Sequence, residues 1–308
     1  MAGQKHAPLQ IVGEILPINN LEELSLTLGE LCTLTLTTVS CIKFLAKCGL
    51  IKNARKCVAC NVTMSLQVRS GPRYIDGYIW SCRLCRRNRN IREGSFFQGS
   101  HLQLNQLLDI IYWWSLSVSE SRTKIKCVIS SWATAVDWIN SIRNICAMCI
   151  IDHPILLGGP GKVVEMDESK FMHREEGHWA NDWVLGMVER GTNNCAMVIV
   201  EEHGSAATRL PIIQEHVLPG TQIITDDWRA YNGLVNQKQD VDHKLNFANP
   251  IVHTNSAESS WRNSKTNFRQ MHRPSDSLIN SYFQEYIWRK NFGENPFGNI
   301  LYWIRHYY

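Results

Sequence analysis

The sequence predicts an α/β protein: a mixed sheet with flanking helices in the second half, preceded by a small cysteine-bearing module and a helical segment. Three observations predict it. Beyond residue 158, apolar β-branched runs separated by turn-forming stretches follow the order strand, strand, strand, helix, strand, helices. Two CxxC pairs, Cys57 with Cys60 and Cys82 with Cys85, bracket a stretch that has no helical periodicity. From His101 to Cys149, apolar residues recur at three- and four-residue spacing.

The elements divide the chain into four regions. Residues 1–50 hold a helix that stops near Cys48-Gly49, where glycine supplies a natural end. Residues 51–99 carry the cysteine pairs and short strand-like pieces such as "RSGPRYIDGYIW". Residues 100–157 contain two amphipathic helices, "LQLNQLLDIIYWWSLSV" and "SWATAVDWINSIRNICAMCI", which suit a helix-turn-helix. The Gly158-Gly159-Pro160-Gly161 cluster then marks a boundary, and residues 158–308 form the last domain. Its strands are "KVVEMD" (162–167), "WVLGMVE" (183–189), "CAMVIVE" (195–201) and "TQIIT" (221–225), with "VDHKLNF" as a fifth. "AATRLPIIQEHV" is a helix whose Pro211 must sit in the first turn or bend it. "WRAYNGLV", "SAESSWRNSKTNFRQ" and "DSLINSYFQEYIWRKNF" are further helices, with Trp228, Trp261 and Trp288 read as core residues. This order is that of the ribonuclease H-like fold, which by itself assigns no function.

The 308 residues, 44% hydrophobic and 19% charged, are enough to bury a sizeable core. No apolar run approaches the roughly 18 residues of a membrane span, and the first 30 residues lack the layout of a signal peptide. An intracellular, reducing setting is therefore expected, in which the eleven cysteines are thiols or metal ligands before they are disulfides. The net charge of +4 is unevenly spread. Residues 51–100 hold ten Lys or Arg against Asp76 and Glu93, a net of +8, so the rest of the chain carries −4. A basic module on a mildly acidic body predicts a polyanion partner, and Arg83, Arg86, Arg87, Arg89 and Arg92 are its candidate phosphate contacts.

The same segment holds the candidate metal site. Each CxxC pair puts two thiolates on one tight turn, and two such turns facing each other supply the sulfur tetrahedron that one structural Zn²⁺ prefers. A module this poor in large aliphatic residues needs such an ion for stability. Cys146 and Cys149 form a third pair, but they share one face of an apolar helix and read as core.

Three acids stand out by context. Asp167 ends a strand that otherwise reads as buried, Asp226 ends the fourth strand, and Glu258 begins a helix. A carboxylate beside a buried strand is costly unless it meets a cation. Asp227, one residue past Asp226, suits the cap of the helix that follows. Glu258 taken alone fits two roles, since Asn255 three residues before it completes a capping box. Taken together in a ribonuclease H-like arrangement, the three acids converge and repel one another unless divalent cations bind between them. Two Mg²⁺ or Mn²⁺ ions there would activate a water or a 3′-hydroxyl for phosphodiester displacement.

The ordered blocks "IREGSFFQGSHLQL", "VVEMDESKF", "WVLGMVER", "PGTQIITDDWRAY", "VDHKLNF" and "HTNSAESSWRNSK" resemble those of the Merlin group of cut-and-paste DNA transposases and related bacterial insertion sequences, over roughly residues 45–295. The resemblance implies a DDE site of Asp167, Asp226 and Glu258 that cleaves and joins DNA strands, a homo-oligomer on double-stranded DNA, and a nuclear location. It also implies DNA contact at Lys265, two turns beyond Glu258; Arg262 in the same segment is a further candidate DNA contact, and Asn255 and His253 either assist the site or shape the helix entry. Two blocks depart from the group. "FMHREEGHWAN" stands where a basic stretch is usual, and "VEEHGS" lacks an Arg after the third strand. Both remove positive charge along the DNA path, so the alternative is a host-recruited, non-catalytic DNA-binding protein.

Overall fold

The computed structural model describes residues 8–72, 74–175, 178–192, 194–200, 206–225, 244–245 and 276–308. The chain forms two compact units: Met1–Ile145 with Glu294–Tyr308, and Cys146–Gly293.

The first unit opens with a short 3-10 turn, Ile18–Leu21, and two helices. Helix α1 (Leu28–Thr35) starts at a capping box, in which the Thr27 side chain accepts from the Glu30 amide and Glu30 accepts from the Thr27 amide. Helix α2 (Thr38–Lys47) stops where expected: Cys48 is its cap and Gly49 follows with φ +73°. A side chain at 49 would also collide, since a Cβ there would lie 2.7 Å from Arg305 Nε. Three strands then form an antiparallel sheet in sequence order, β1 (Ser65–Val68), β2 (Tyr78–Ser81) and β3 (Asn88–Asn90).

Residues 100–152 hold three helices where the periodicity predicts two: α3 (Leu104–Ser115), α4 (Glu120–Lys126) and α5 (Trp132–Asp152). Seven residues of α4 are too few to establish a period, and left-handed residues at Ser117 and Val128 set it off from its neighbours. Helix α8 (Pro296–Tyr307) returns to this unit. Its Arg305 donates to the carbonyls of Leu16 and Cys48 at 2.6 and 3.2 Å, and Asn295 donates to those of Glu22 and Leu24. Leu21, Leu31, Leu45, Leu108, Ile300 and Ile304 are all buried.

The second unit is built on a five-stranded sheet of order β10-β9-β5-β6-β7. Strand β5 (Val163–Glu175) is central and pairs antiparallel with β6 (His178–Glu189), which pairs antiparallel with β7 (Cys195–Val200). On its other side β5 runs parallel to β9 (Gln222–Thr225), and β9 runs parallel to β10 (Lys244–Leu245). Strands β5 and β6 outlast the apolar runs that mark them in the sequence, because backbone pairing continues to Glu175↔His178 through a mixed, mainly polar stretch.

Alternation gives the sheet two apolar faces. On one, Met166, Leu185, Met187, Ala196 and Ile223 pack with Leu210 and Ile213 of α6 (Ala206–His216). On the other, Val184, Cys195 and Met197 pack with Phe283, Tyr286 and Ile287 of α7 (Asp276–Phe292). Pro211 sits at the sixth position of α6, past the first turn, so that helix forgoes an interior N–H. The glycine cluster expected to divide the chain lies within this unit, which begins at Cys146. Gly158 belongs to the short parallel pair β4 (Leu157–Gly158) and β8 (Val217–Leu218), and its amide donates to Glu189 Oε2 at 2.7 Å. A Cβ there would lie 2.1 Å from Thr221 Oγ1, so the glycine serves close packing.

Candidate functional site

The four cysteines of the first unit meet. The turn of Cys57–Cys60 closes with the Asn61 amide donating to the Cys57 carbonyl, and that of Cys82–Cys85 closes with Arg86 donating to Cys82. Asn61 and Arg86 are left-handed at φ 54° and 59°, so the turns are built alike. Cys57 Sγ lies 3.4 Å from Cys85 Sγ, and Cys60 Sγ 3.4 Å from Cys82 Sγ, with all four sulfurs within 4.8 Å of one another. A tetrahedron with Zn–S bonds of about 2.3 Å has edges of about 3.8 Å, so the donor set and its spacing fit one Zn²⁺.

Thiolate character is built in at the first cysteine of each turn. The amides of Ala59 and Cys60 hold the Cys57 thiol down to about 6, and the amide of Cys85 lowers Cys82. Cys60 is pushed up to about 12, chiefly by its contact with Cys82, as expected where adjacent thiols share protons before a metal displaces them. Cys146 and Cys149 are fully buried, and burial raises Cys149 to about 12, so this pair is core as expected.

The predicted arginine contacts separate. Arg83, Arg86 and Arg87 are exposed around the second cysteine turn, and Arg89 is half-buried with its Nε 3.9 Å from Glu93. Arg92 corrects the expectation. Its side chain is buried and doubly bonded to Asp76, each N···O distance 2.6 Å, and it donates to the Ser100 carbonyl at 3.2 Å. Asp76 also accepts from the Leu104 amide, so the pair ties the ribbon to the start of α3 and leaves no guanidinium for phosphate.

In the second unit, Asp167 lies half-buried on the central strand beside Gly186 of β6, which puts no side chain next to it. Its Oδ1 accepts from the Glu168 amide at 2.7 Å. Strand alternation sends Glu168 to the opposite face, where it meets the buried Arg209 of α6 at 2.6 Å. The buried Glu165 pairs with Arg190, and Glu189 accepts from Lys162 at 2.9 Å. The Gly158 amide and the Lys162 ammonium outweigh burial and hold Glu189 below the usual carboxylate range.

These pairs are not visible in the sequence. Period two separates the faces of "VVEMDESK", but the partners stand 25 or more residues away. Asp226, Glu258, Lys265, Arg262, Asn255 and His253 lie outside the described residues, as do Asp227, Trp228 and Trp261. Trp288 is fully buried, as expected. Among the described residues, no single helix is long and apolar enough to cross a membrane.

Residues 157–291 match the family model described as the ISXO2-like transposase domain, which supports a transposase family. The chain is also 24% identical over 295 residues to the Caenorhabditis elegans male abnormal protein mab-31, covering 86% of this chain and 67% of that protein. No solved structure matches the chain.

Proposed function

We propose that the protein is a DNA transposase of the Merlin type. Its ribonuclease H-like domain would cleave and join DNA strands through Asp167, Asp226 and Glu258, while its ribbon and helical segment bind the element ends. The observation that carries this reading is the transposase-domain match, whose span 157–291 contains all three acids. The strand order supports it. The first long strand of the unit is central, flanked by the second and by the parallel β9. Thr225 pairs with Met166, and Asp226 follows it in the chain as Asp167 follows Met166. One more step of that register would bring the two acids together on one face.

Asp167, Asp226 and Glu258 would hold two Mg²⁺ or Mn²⁺ ions, which when bound supply charge neutralisation and an activated oxygen nucleophile. The chain's own part is to fix Asp167: the Glu168 amide orients one carboxylate oxygen, and the Glu168–Arg209 pair anchors the next residue to α6. Lys265 and Arg262 would contact DNA near the cleaved bond, and the active form would be a homo-oligomer on paired ends in the nucleus.

The test uses the purified chain and duplexes carrying the inverted repeats that flank its gene. Divalent-ion-dependent cutting is expected, lost in Asp226→Ala with binding retained, whereas Asp227→Ala costs stability alone. Binding without cutting by the wild type would instead support a second reading, a recruited protein acting without catalysis. That reading draws on the acidic "HREE" in place of a basic stretch.

A further inference from the structure

The two cysteine turns differ from the rest of the ribbon in what they expose. The sheet behind them buries Leu66, Ile79 and Trp80. The turns present apolar side chains outward: Val58 is 70% exposed and Leu84 68%, with Val62 beside the first turn at 39%. Exposed apolar residues scattered singly need no explanation, but these sit on two turns whose sulfurs are in contact. The surrounding charge has one sign. Residues 57–63 and 82–88 contain Arg83, Arg86 and Arg87, all exposed, and no Asp or Glu. Exposed apolar side chains on two joined turns, one of which also carries three exposed arginines, fit a partner with an anionic rim and an apolar interior, which is how duplex DNA presents its phosphates and stacked bases.

We propose that this double-turn tip is the DNA-contacting end of the ribbon, with the arginines on phosphates and Val58 and Leu84 pressed as an apolar wedge between base pairs. It rests on the DNA-binding reading above and adds that the ribbon unstacks the duplex it binds, as apolar wedges do elsewhere. Rigidity matters here, because a wedge on a loose loop would fold back instead of parting bases. The metal-binding turns supply that rigidity.

The test uses the full zinc-loaded chain and a mixed-sequence duplex carrying 2-aminopurine, read by anisotropy for binding and by fluorescence for unstacking. Wild type is expected to bind and to raise the 2-aminopurine signal. Val58→Thr with Leu84→Gln should bind about tenfold more weakly, keep the salt dependence and lose the fluorescence rise. Arg83→Gln with Arg87→Gln should lower the slope of log affinity against log salt by about two. The singles V58T and L84Q are run alongside, so a change of zinc content in one leaves the other to decide. Wild-type affinity and an unchanged fluorescence rise in the apolar variants would overturn the wedge while leaving DNA binding intact. So would wild-type binding with no fluorescence rise. Failure of the wild type to bind any duplex would overturn both this inference and the reading it rests on.

Discussion

The ribbon and the five-stranded sheet solve the same problem by opposite means. The sheet buries two apolar faces, one under α6 and one under α7, and Asp167 lies on that scaffold. The ribbon has three short strands over a small core that includes Leu66, Ile79 and Trp80, so its four clustered sulfurs and the buried Arg92–Asp76 pair must supply much of what the larger core supplies in the sheet. In one region chemistry sits on a fold. In the other, the chemistry is the fold.

The largest effect is expected from disabling the four-cysteine site, whose donor set fits one Zn²⁺. Cys57→Ser, or chelation of the wild type, should unfold residues 57–99 outright, since structural zinc supplies on the order of 10 kcal/mol in small modules. The sheet should keep its protection; hydrogen exchange resolved by region reads both, and exchange unchanged in the ribbon would refute the metal's role. Next in size is Asp76→Ala, which strands a buried guanidinium and should cost about 3–5 kcal/mol, measured by denaturation against wild type. Met187→Ala should cost about 2–5 kcal/mol in the sheet and leave zinc content alone. A chelator-sensitive sheet or a Met187-sensitive ribbon would show that the two regions are not independent.

The smallest test is pH. Burial pushes the Asp109 carboxyl of α3 up to about 6, so the stability it contributes is full below its unfolded value near 4 and is lost as pH rises through about 6. Glu189 in the sheet unit is held low, so its contribution is full above the unfolded value near 4.5 and is lost as pH falls below it. The first unit should therefore weaken from pH 4 to 7, and Asp109→Asn should flatten that trend. The sheet unit should weaken only on acidification. A flat profile in wild-type regional exchange would remove both assignments.

Legibility followed the range of the interactions. The CxxC turns and the end of α2 at Gly49 are local events, written in three or four consecutive residues, and both are found where the sequence places them. Strands β7 and β9 are also local in signal, being short β-branched runs. Long-range choices were hidden. Arg92 looks like any other residue of a basic run, and only the fold reveals Asp76 as its partner. The length of β5 depends on a partner strand, not on its own apolarity. Asp167 is legible as an acid at the end of an apolar run, although the strand itself continues to Glu175, and the Glu168–Arg209 pair on the opposite face requires knowing which helix covers which face. The acids expected to join Asp167 lie outside the described residues, so that site stands on sequence, register and the domain match.

The return of α8 to the first unit has a consequence for how the protein is made. Residues Cys146–Gly293 are complete before the ribosome has synthesised α8, and the sheet can close while the chain is still attached. The unit that begins first finishes last, since Arg305 and Asn295 must emerge before the carbonyls of Leu16, Glu22, Leu24 and Cys48 receive their donors. A stalled or nicked chain lacking residues 294–308 would keep a folded sheet and lose the unit that carries the ribbon.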